Sequence, residues 1–347
     1  MLKDNKKRAT IFFLVTILLF SSFTIVNSSR NENFTNFNAE FLINDYSVDK
    51  LSREVEDVGW YSSLDLDSNG HPHISYLDYG NCNLKYAHWT GSSWDIQTVD
   101  SSADVGYHTS LAVDENNCPH IGYQDIENHV LKHAYLNGDI WAVEIVDSSD
   151  DVGYYTAIDT DSQNYAHISY FDLTITCLKH AFQTDSGWEI EIVDCDGDVG
   201  YFSDIAIDNQ DRPHISYYDY TNHDLKYTFF NGNSWDTTTV DSSSDIGYYT
   251  SLVLDSNTCP HISYVDWTHW NLKYAHFDGS SWYKTNVDTA GDVRKWTSID
   301  LDSLEHPHIS YYDYTEGSLR YAKFDGDTWS LETVESDGSV GLSLIHI

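Results

Sequence analysis

Hydrophobic and polar positions alternate in short runs along most of this chain. "SSLDLD" (62–67), "HISYLD" (73–78), "LKYAHW" (84–89) and "WDIQTVD" (94–100) switch face from residue to residue. They are rich in β-branched and aromatic side chains, the pattern of strands with one face in a core. Between them lie "DSNGHP" (67–72), "YGNCN" (79–83) and "TGSS" (90–93). Gly, Asn, Asp and Ser at these points are turn chemistry, so the runs read as strand–turn–strand. No window of about 11 residues carries a helical stripe. The four-beat phrase then recurs. "PHISY" stands at 72–76, 213–217, 260–264 and 307–311, with "PHIGY" at 119–123 and "AHISY" at 166–170, a period of 47 residues without insertion.

Units begin at Asp57, Asp104, Asp151, Asp198, Asp245 and Asp292, and six of them fill 57–338. Four short strands per unit is the arithmetic of one propeller blade. The pattern therefore predicts an all-β chain, a β-propeller of six four-stranded antiparallel blades spanning 57–103, 104–150, 151–197, 198–244, 245–291 and 292–338. A seventh unit begins at Ser339; its "SVG" fits the repeat and "LSLIHI" does not. The expectation is that further repeats follow in the natural chain. Residues 29–56 are expected to be partly disordered, with 40–56 offering a closing strand to the last blade.

A residue repeated once per blade serves blade construction. His73, His120, His167, His214, His261 and His308 are expected in blade-to-blade contacts. Asp78, Asp125, Asp172, Asp219, Asp266 and Asp313 recur beside them, opposite Lys85, Lys132, Lys179, Lys226, Lys273 and Arg320. These read as structural ion pairs in one polar network. Trp94, Trp141, Trp188, Trp235, Trp282 and Trp329 complete the repeated set.

With recurring His, Asp, Ser/Thr and Trp, the chain resembles WD-repeat propellers, but it lacks their "GH" and "WD" dipeptides at the expected places. "FDGSSW" (277–282) and "FDGDTW" (324–329) resemble the Asp-box of sialidase-type propellers, Ser-x-Asp-x-Gly-x-Thr-Trp, with the aspartate four residues before the tryptophan instead of five. The overall pattern is similar to tandem propeller repeats of secreted archaeal and bacterial proteins. The resemblance covers 57–338 and implies a fold more than an activity.

Charge and the first residues narrow the setting. Basic "MLKDNKKR", the apolar run Ile11–Val26 and polar "NSS" read as a signal peptide over 1–28, which predicts export, with no membrane span after cleavage. The net charge is −37. Removing the +3 of residues 1–28 leaves −40, which excludes nucleic acid as a partner. Five cysteines, Cys82, Cys118, Cys177, Cys195 and Cys259, leave at least one unpaired within the chain.

Candidate chemistry is weighed against this scaffold. "DLDSNG" (65–70) resembles the opening of a calcium loop, yet the twelfth position is Tyr76, not glutamate. A β-turn is the better reading, and Ca2+ is the only cofactor the pattern leaves open. Sialidase chemistry needs clustered arginines, whereas Arg53, Arg212 and Arg294 fall at unrelated offsets, with Arg212 and Arg294 on opposite faces. Blade-start aspartates followed by aromatics, such as Asp104 with Tyr107, suit sugar binding as well as packing. Departures from the repeat say more. In unit six a Gly–aromatic pair becomes Arg294–Lys295, followed by Trp296; in unit five the second turn, "DWTHWN", carries Trp267, His269 and Trp270. These six residues form the candidate ligand site. The reading is a secreted, non-enzymatic propeller for an extracellular glycan or surface protein. A glycan-acting hydrolase or lyase, or a structural adhesion module, are the alternatives.

Overall fold

The computed structural model describes residues 58–336. The signal peptide, the 29–56 segment with its closing strand, and the start of the seventh unit lie outside the described residues. Within them are 24 strands and no helix, in six four-stranded antiparallel sheets. Blade 1 runs β1 (Val58–Leu66), β2 (Pro72–Asp78), β3 (Asn83–Trp89) and β4 (Trp94–Asp100), in that order. The innermost strands of the next blades are β5 (Val105–Val113), β9 (Val152–Thr160), β13 (Val199–Ile207), β17 (Ile246–Leu254) and β21 (Lys295–Leu301). Each packs beside the innermost strand before it, from β1 through to β21. The chain is a six-bladed β-propeller.

The innermost strands start earlier than alternation alone predicts, at Val58 instead of Ser62. The cause is a bulge. Tyr61, His108, Tyr155, Phe202, Tyr249 and Trp296 all have φ between 49° and 53°, and the register shifts on both sides of Trp60 and its equivalents. A bulge re-aims its side chain. Here the rings form a chain from blade to blade, with centroids 4.7 Å apart for Tyr61–His108, 5.0 Å for His108–Tyr155, 4.6 Å for Tyr155–Phe202 and 4.2 Å for Phe202–Tyr249. Tyr61 is also an electrostatic neighbour of Tyr155 and Tyr249, so the rings gather around the axis. Two residues before the rings of blades 2 to 5 comes close backbone contact between blades, at Gly106, Gly153, Gly200 and Gly247. A Cβ on Gly247 (φ 106°) would lie 2.7 Å from the Leu225 Cα, a distance only glycine tolerates.

Blade boundaries are stitched by three sets of contacts. Near the axis, inner-strand side chains accept amides of the next blade: Ser63 from Leu111 at 3.0 Å, Asp65 from Val113 at 2.8 Å, Asp204 from Leu252 at 2.7 Å. This use of Asp65, with the Asp67 carboxylate taking the Asn69 and His71 amides, makes "DLDSNG" an Asx turn. Midway, the aspartate that ends each fourth strand is shared by a tyrosine and a cation of the next blade. Asp147 accepts from the Tyr170 hydroxyl at 2.7 Å and the Lys179 ammonium at 2.6 Å. Asp100, Asp194, Asp241 and Asp288 do the same for Lys132, Lys226, Lys273 and Arg320. The expected own-blade pairs are also present for Lys132–Asp125, Lys179–Asp172, Lys226–Asp219 and Arg320–Asp313, while Lys85 hydrogen-bonds Thr98. Asp78 and Asp266 cap their turns by accepting the Asn81 and His269 amides.

Nearer the first turns, on the same second and third strands, stand the repeated histidines and their ring partners. Their polar bonds are made inside their own blade, which differs from the blade-to-blade contacts expected. His120 and His167 bond His133 and His180 at 3.1 Å; His73 and His261 bond Tyr86 and Tyr274 at 2.5 Å; His214 and His308 bond Tyr227 and Tyr321. The ring so fixed then receives the edge of the next blade's tryptophan, as in Tyr86–Trp141 and Tyr227–Trp282. The histidine thus acts across the boundary through a second ring. A disulfide joins Cys177 to Cys195, and Cys118 and Cys259 are free thiols.

Two predictions follow from this packing. Burial holds His133, His180 and His261 down to about 4. The unfolded chain protonates these rings near pH 6.5 and the folded chain does not, so this part of the stability is complete above pH 6.5 and is lost as pH falls towards 4. Thermal melts should be level from pH 8 to 7 and fall progressively below 6.5; a level melting temperature down to pH 4.5 contradicts neutral core histidines. Gly247→Ala should cost about 2 kcal/mol or more through overpacking and an adverse φ, read as a lower midpoint in urea.

Candidate functional site

Of the residues singled out in units five and six, Trp270 and Arg294 meet on one face, at the boundary between their blades. The turn 267–270 joins β18 (Pro260–Asp266) to β19 (Asn271–Phe277). Asp266 accepts the His269 amide at 3.0 Å, and Trp270 takes a left-handed φ of 58°. Cys82, His129, Thr176 and His223 do likewise at their turns, so the backbone is regular and only the indole is new. The Trp270 carbonyl accepts the Val293 amide at 2.8 Å, and the Asp292 carbonyl accepts the Tyr314 amide at 2.8 Å. These bonds fix both blades' loops to the connecting segment.

The next residue decides the local geometry. Regular units place glycine there for close approach to the previous blade; unit six has Arg294. A side chain does not fit that contact, and β21 accordingly begins at Lys295, two residues later than its equivalents. The guanidinium lies 4.0 Å from the Trp270 ring centroid and 5.1 Å from that of Tyr314. Its Nε donates to Asp292 at 2.7 Å. Trp270 is 43% exposed and Tyr314 52%. The result is an open strip of indole, guanidinium and phenol, with one carboxylate steadying the cation. Cation–π contact of this kind contributes about 0.5–1 kcal/mol at exposed sites.

Other predicted members sit elsewhere. Trp267 stacks on Tyr248, centroids 5.0 Å apart, and packs against the core. His269 turns back to Asp266 at 3.0 Å. Trp296 belongs to the bulge position, with the Lys295 ammonium 5.1 Å from its ring. Arg212 pairs with Asp208 at 2.6 Å at the first turn, far from Arg294 in the repeat and on the other face. Tyr314 and Asp292 are the members that sequence reasoning did not assign to the site. The signal for Tyr314 was its repeat equivalence with Trp267, one unit earlier.

The corresponding boundaries differ in their polar groups. Asp151 pairs with His129 at 2.9 Å, and Asp245 with His223 at 3.3 Å. Asp198 faces Thr176 in the repeat, and its buried Oδ1 has no hydrogen-bond partner. Burial raises its pKa despite the Tyr201 hydroxyl. Two of these boundaries thus carry an Asp–His pair, and the Asp198 boundary leaves a buried carboxylate oxygen without a partner.

No family model matches the chain, and no curated protein matches it. Solved structures do share its fold. SapL1 lectin in complex with alpha methyl fucoside is similar with a TM-score of 0.56 and 11% identity, over 80% of this chain and 97% of that one. An ulvan lyase described as a new polysaccharide lyase family has a TM-score of 0.56 and 13% identity, over 80% and 86%. A Hadza microbial sialidase has a TM-score of 0.51 and 12% identity, over 74% and 64%. At these identities the likeness is one of fold.

Arg294→Gly should return β21 to the regular length without lowering stability, because the close glycine contact replaces an exposed cation strip. A melting temperature equal to or above wild type is expected. A fall of several degrees would mean that the Trp270–Arg294–Tyr314 stack holds the two blades together.

Proposed function

We propose that the protein is an exported carbohydrate-binding propeller, and that the boundary of blades 5 and 6 takes a sugar bearing a carboxylate or sulfate. The observation that carries this reading is the Arg294 guanidinium between two exposed rings on an otherwise acidic chain. A sugar's CH face stacks on Trp270 or Tyr314. Arg294 has five donors in a fork, and Asp292 engages its Nε, so the terminal N–H groups suit a bidentate oxyanion. Fucoside-binding lectin, polysaccharide lyase and sialidase neighbours support a carbohydrate setting for this fold. The basic and apolar leader supports export, as does the Cys177–Cys195 disulfide, since such bonds persist in oxidising compartments.

Calorimetric titration of the mature chain with uronic, sulfated and neutral oligosaccharides tests the proposal. Anionic sugars should bind, and Arg294→Gly or Trp270→Ala should weaken them by about tenfold, some 1.4 kcal/mol. Moderate salt should leave binding intact, because it screens the long-range repulsion from the acidic surface over about 8–10 Å. Equal isotherms for all three proteins would move binding away from this boundary. No binding by any sugar would favour a structural or adhesive role.

A further inference from the structure

On the opposite face, the first turn of blade 1 departs from the repeat in another way. A carboxylate oxygen of Asp67 and one ring nitrogen each of His73 and His88 all lie within 4.8 Å of one another. His71 stands beside them, its Nδ1 3.3 Å from the Asp67 carboxylate. We infer that Asp67, His73 and His88, with His71 in reach, bind one divalent transition-metal ion of the zinc class.

The comparison between blades carries the argument. In blades 2, 3, 4 and 6 the repeated histidine brings its Nε2 to the turn aspartate, at 3.7, 3.6, 3.4 and 3.4 Å. In blade 1 the His73 Nε2 is buried and has no hydrogen-bond partner, although the ring is only 4% exposed. Such an orphaned polar atom is costly and calls for a partner. The Nδ1 of the same ring is bound to the Tyr86 hydroxyl at 2.5 Å. With Nδ1–H donating to that oxygen, the Nε2 lone pair faces the cluster, the outer-shell arrangement that orients a metal-binding imidazole. His88 is the register partner of His73 across β2 and β3, which places both rings on one side of the sheet, centroids 4.2 Å apart. Blade 1 alone has histidine at both flanking positions. The equivalents of His71 are Cys118, Tyr165, Arg212, Cys259 and His306, and those of His88 are Tyr135, Phe182, Phe229, His276 and Lys323.

The donor set selects the ion. Imidazole nitrogens with one carboxylate suit zinc and its neighbours, which take four ligands at about 2.0–2.2 Å. Calcium needs six to eight oxygens, which this turn does not supply. Closing from 4.8 Å to a metal's coordination sphere requires rotation of His88 and His71, the two partly exposed rings, and leaves buried His73 in place.

The test uses the mature, untagged chain stripped with EDTA and titrated with Zn2+ by calorimetry, and with Co2+ by absorption. We expect one equivalent bound at micromolar affinity or better, with visible Co2+ bands of a low-coordinate site. Zn2+ should raise the melting temperature by several degrees. His88→Gln should weaken Zn2+ at least tenfold and remove the melting shift while keeping the β-sheet circular dichroism; His71→Gln should weaken it less. Cys118→Ser serves as the control, because Asp114, Cys118 and His120 form a second close group in blade 2, and it should leave binding unchanged. Absence of stoichiometric binding, equal affinity in His88→Gln, or loss in Cys118→Ser instead would each overturn the assignment. No sugar enters these measurements, so their outcome is independent of the glycan site.

Discussion

One buried carboxylate shared between two blades holds each of the five boundaries from blade 1 to blade 6. Asp147 closes blade 3 onto blade 2 because the Tyr170 hydroxyl and the Lys179 ammonium both come from blade 3 and both need it. Burial alone would push such a carboxylate's pKa up. Hydrogen bonds from Lys179, Tyr170 and Ser149 prevail and hold Asp147 below the usual value. Taking charges out of water is expensive, and a buried pair repays that cost only when every donor is satisfied. Here Lys179 also meets Asp172 and Ser149. The arrangement therefore penalises any state in which the neighbouring blade is absent, since it would leave a cation or carboxylate unpaired. That coupling makes six similar hairpin sheets behave as one body.

A boundary with so many repeated contacts tolerates exceptions. The glycine before each bulge is needed for close approach of backbones, yet Arg294 occupies that place in blade 6. The inner strand loses its first two residues there, while Arg320 still reaches Asp288 at 2.6 Å and Thr297 still bonds Ser263 at 2.7 Å. The contact is forfeited at one place and kept at two others. An irregular residue can therefore be spent on surface chemistry without undoing the ring.

The sequence shows the blades plainly because alternation and turn residues are local, and a period of 47 copies the same local signals six times. Four strands per unit and the turn reading of "DSNGHP" needed nothing else. The bulge at Tyr61 was not legible, since an aromatic at positive φ is imposed by tertiary contacts around the axis. The own-blade aspartate of the repeated cations, such as Asp172 for Lys179, was legible, but the second partner in the preceding blade was not. Among 55 acidic residues no spacing singles out Asp147, and only the fold shows that Lys179 uses both. The meeting of Trp270 with Arg294 was readable, because repeat offsets place both on one face of adjacent blades. That Trp267 would turn into the core while Tyr314 stayed open was not, because equivalent positions diverge with the neighbour they meet: Tyr248 for one, Arg294 for the other. The histidine group of blade 1 escaped for a related reason. His73 and His88 lie 15 positions apart in sequence and become neighbours only through hairpin register.

The two faces differ in how firmly they are tied, which bears on what each can do. At the first turns, successive blades bond to each other directly: the Ser68 amide to Asn117 at 2.7 Å, Glu115 to Asn164 at 3.1 Å, Ser162 to Asp211 at 2.9 Å and Ser256 to Glu305 at 3.0 Å. A site there inherits a fixed frame, which suits the narrow distance tolerance of metal coordination. At the second turns, the ties run from backbone to the following connection, and the residue at left-handed φ projects a side chain whose identity the frame does not constrain. Cysteine, histidine, threonine, histidine and tryptophan all occur there. That face can vary its surface one blade at a time, as recognition of a structured ligand requires. The strongly negative charge adds a further restriction: an anionic ligand is repelled over most of the surface and attracted only where cations project. Arg294 lies on this face beside the exposed Trp270 and Tyr314, whereas Lys132, Lys179 and Lys273 are taken up inside the boundaries. Among the described residues, scarce cations thus divide between buried bridges and the Trp270–Arg294–Tyr314 strip on which the proposed glycan site rests.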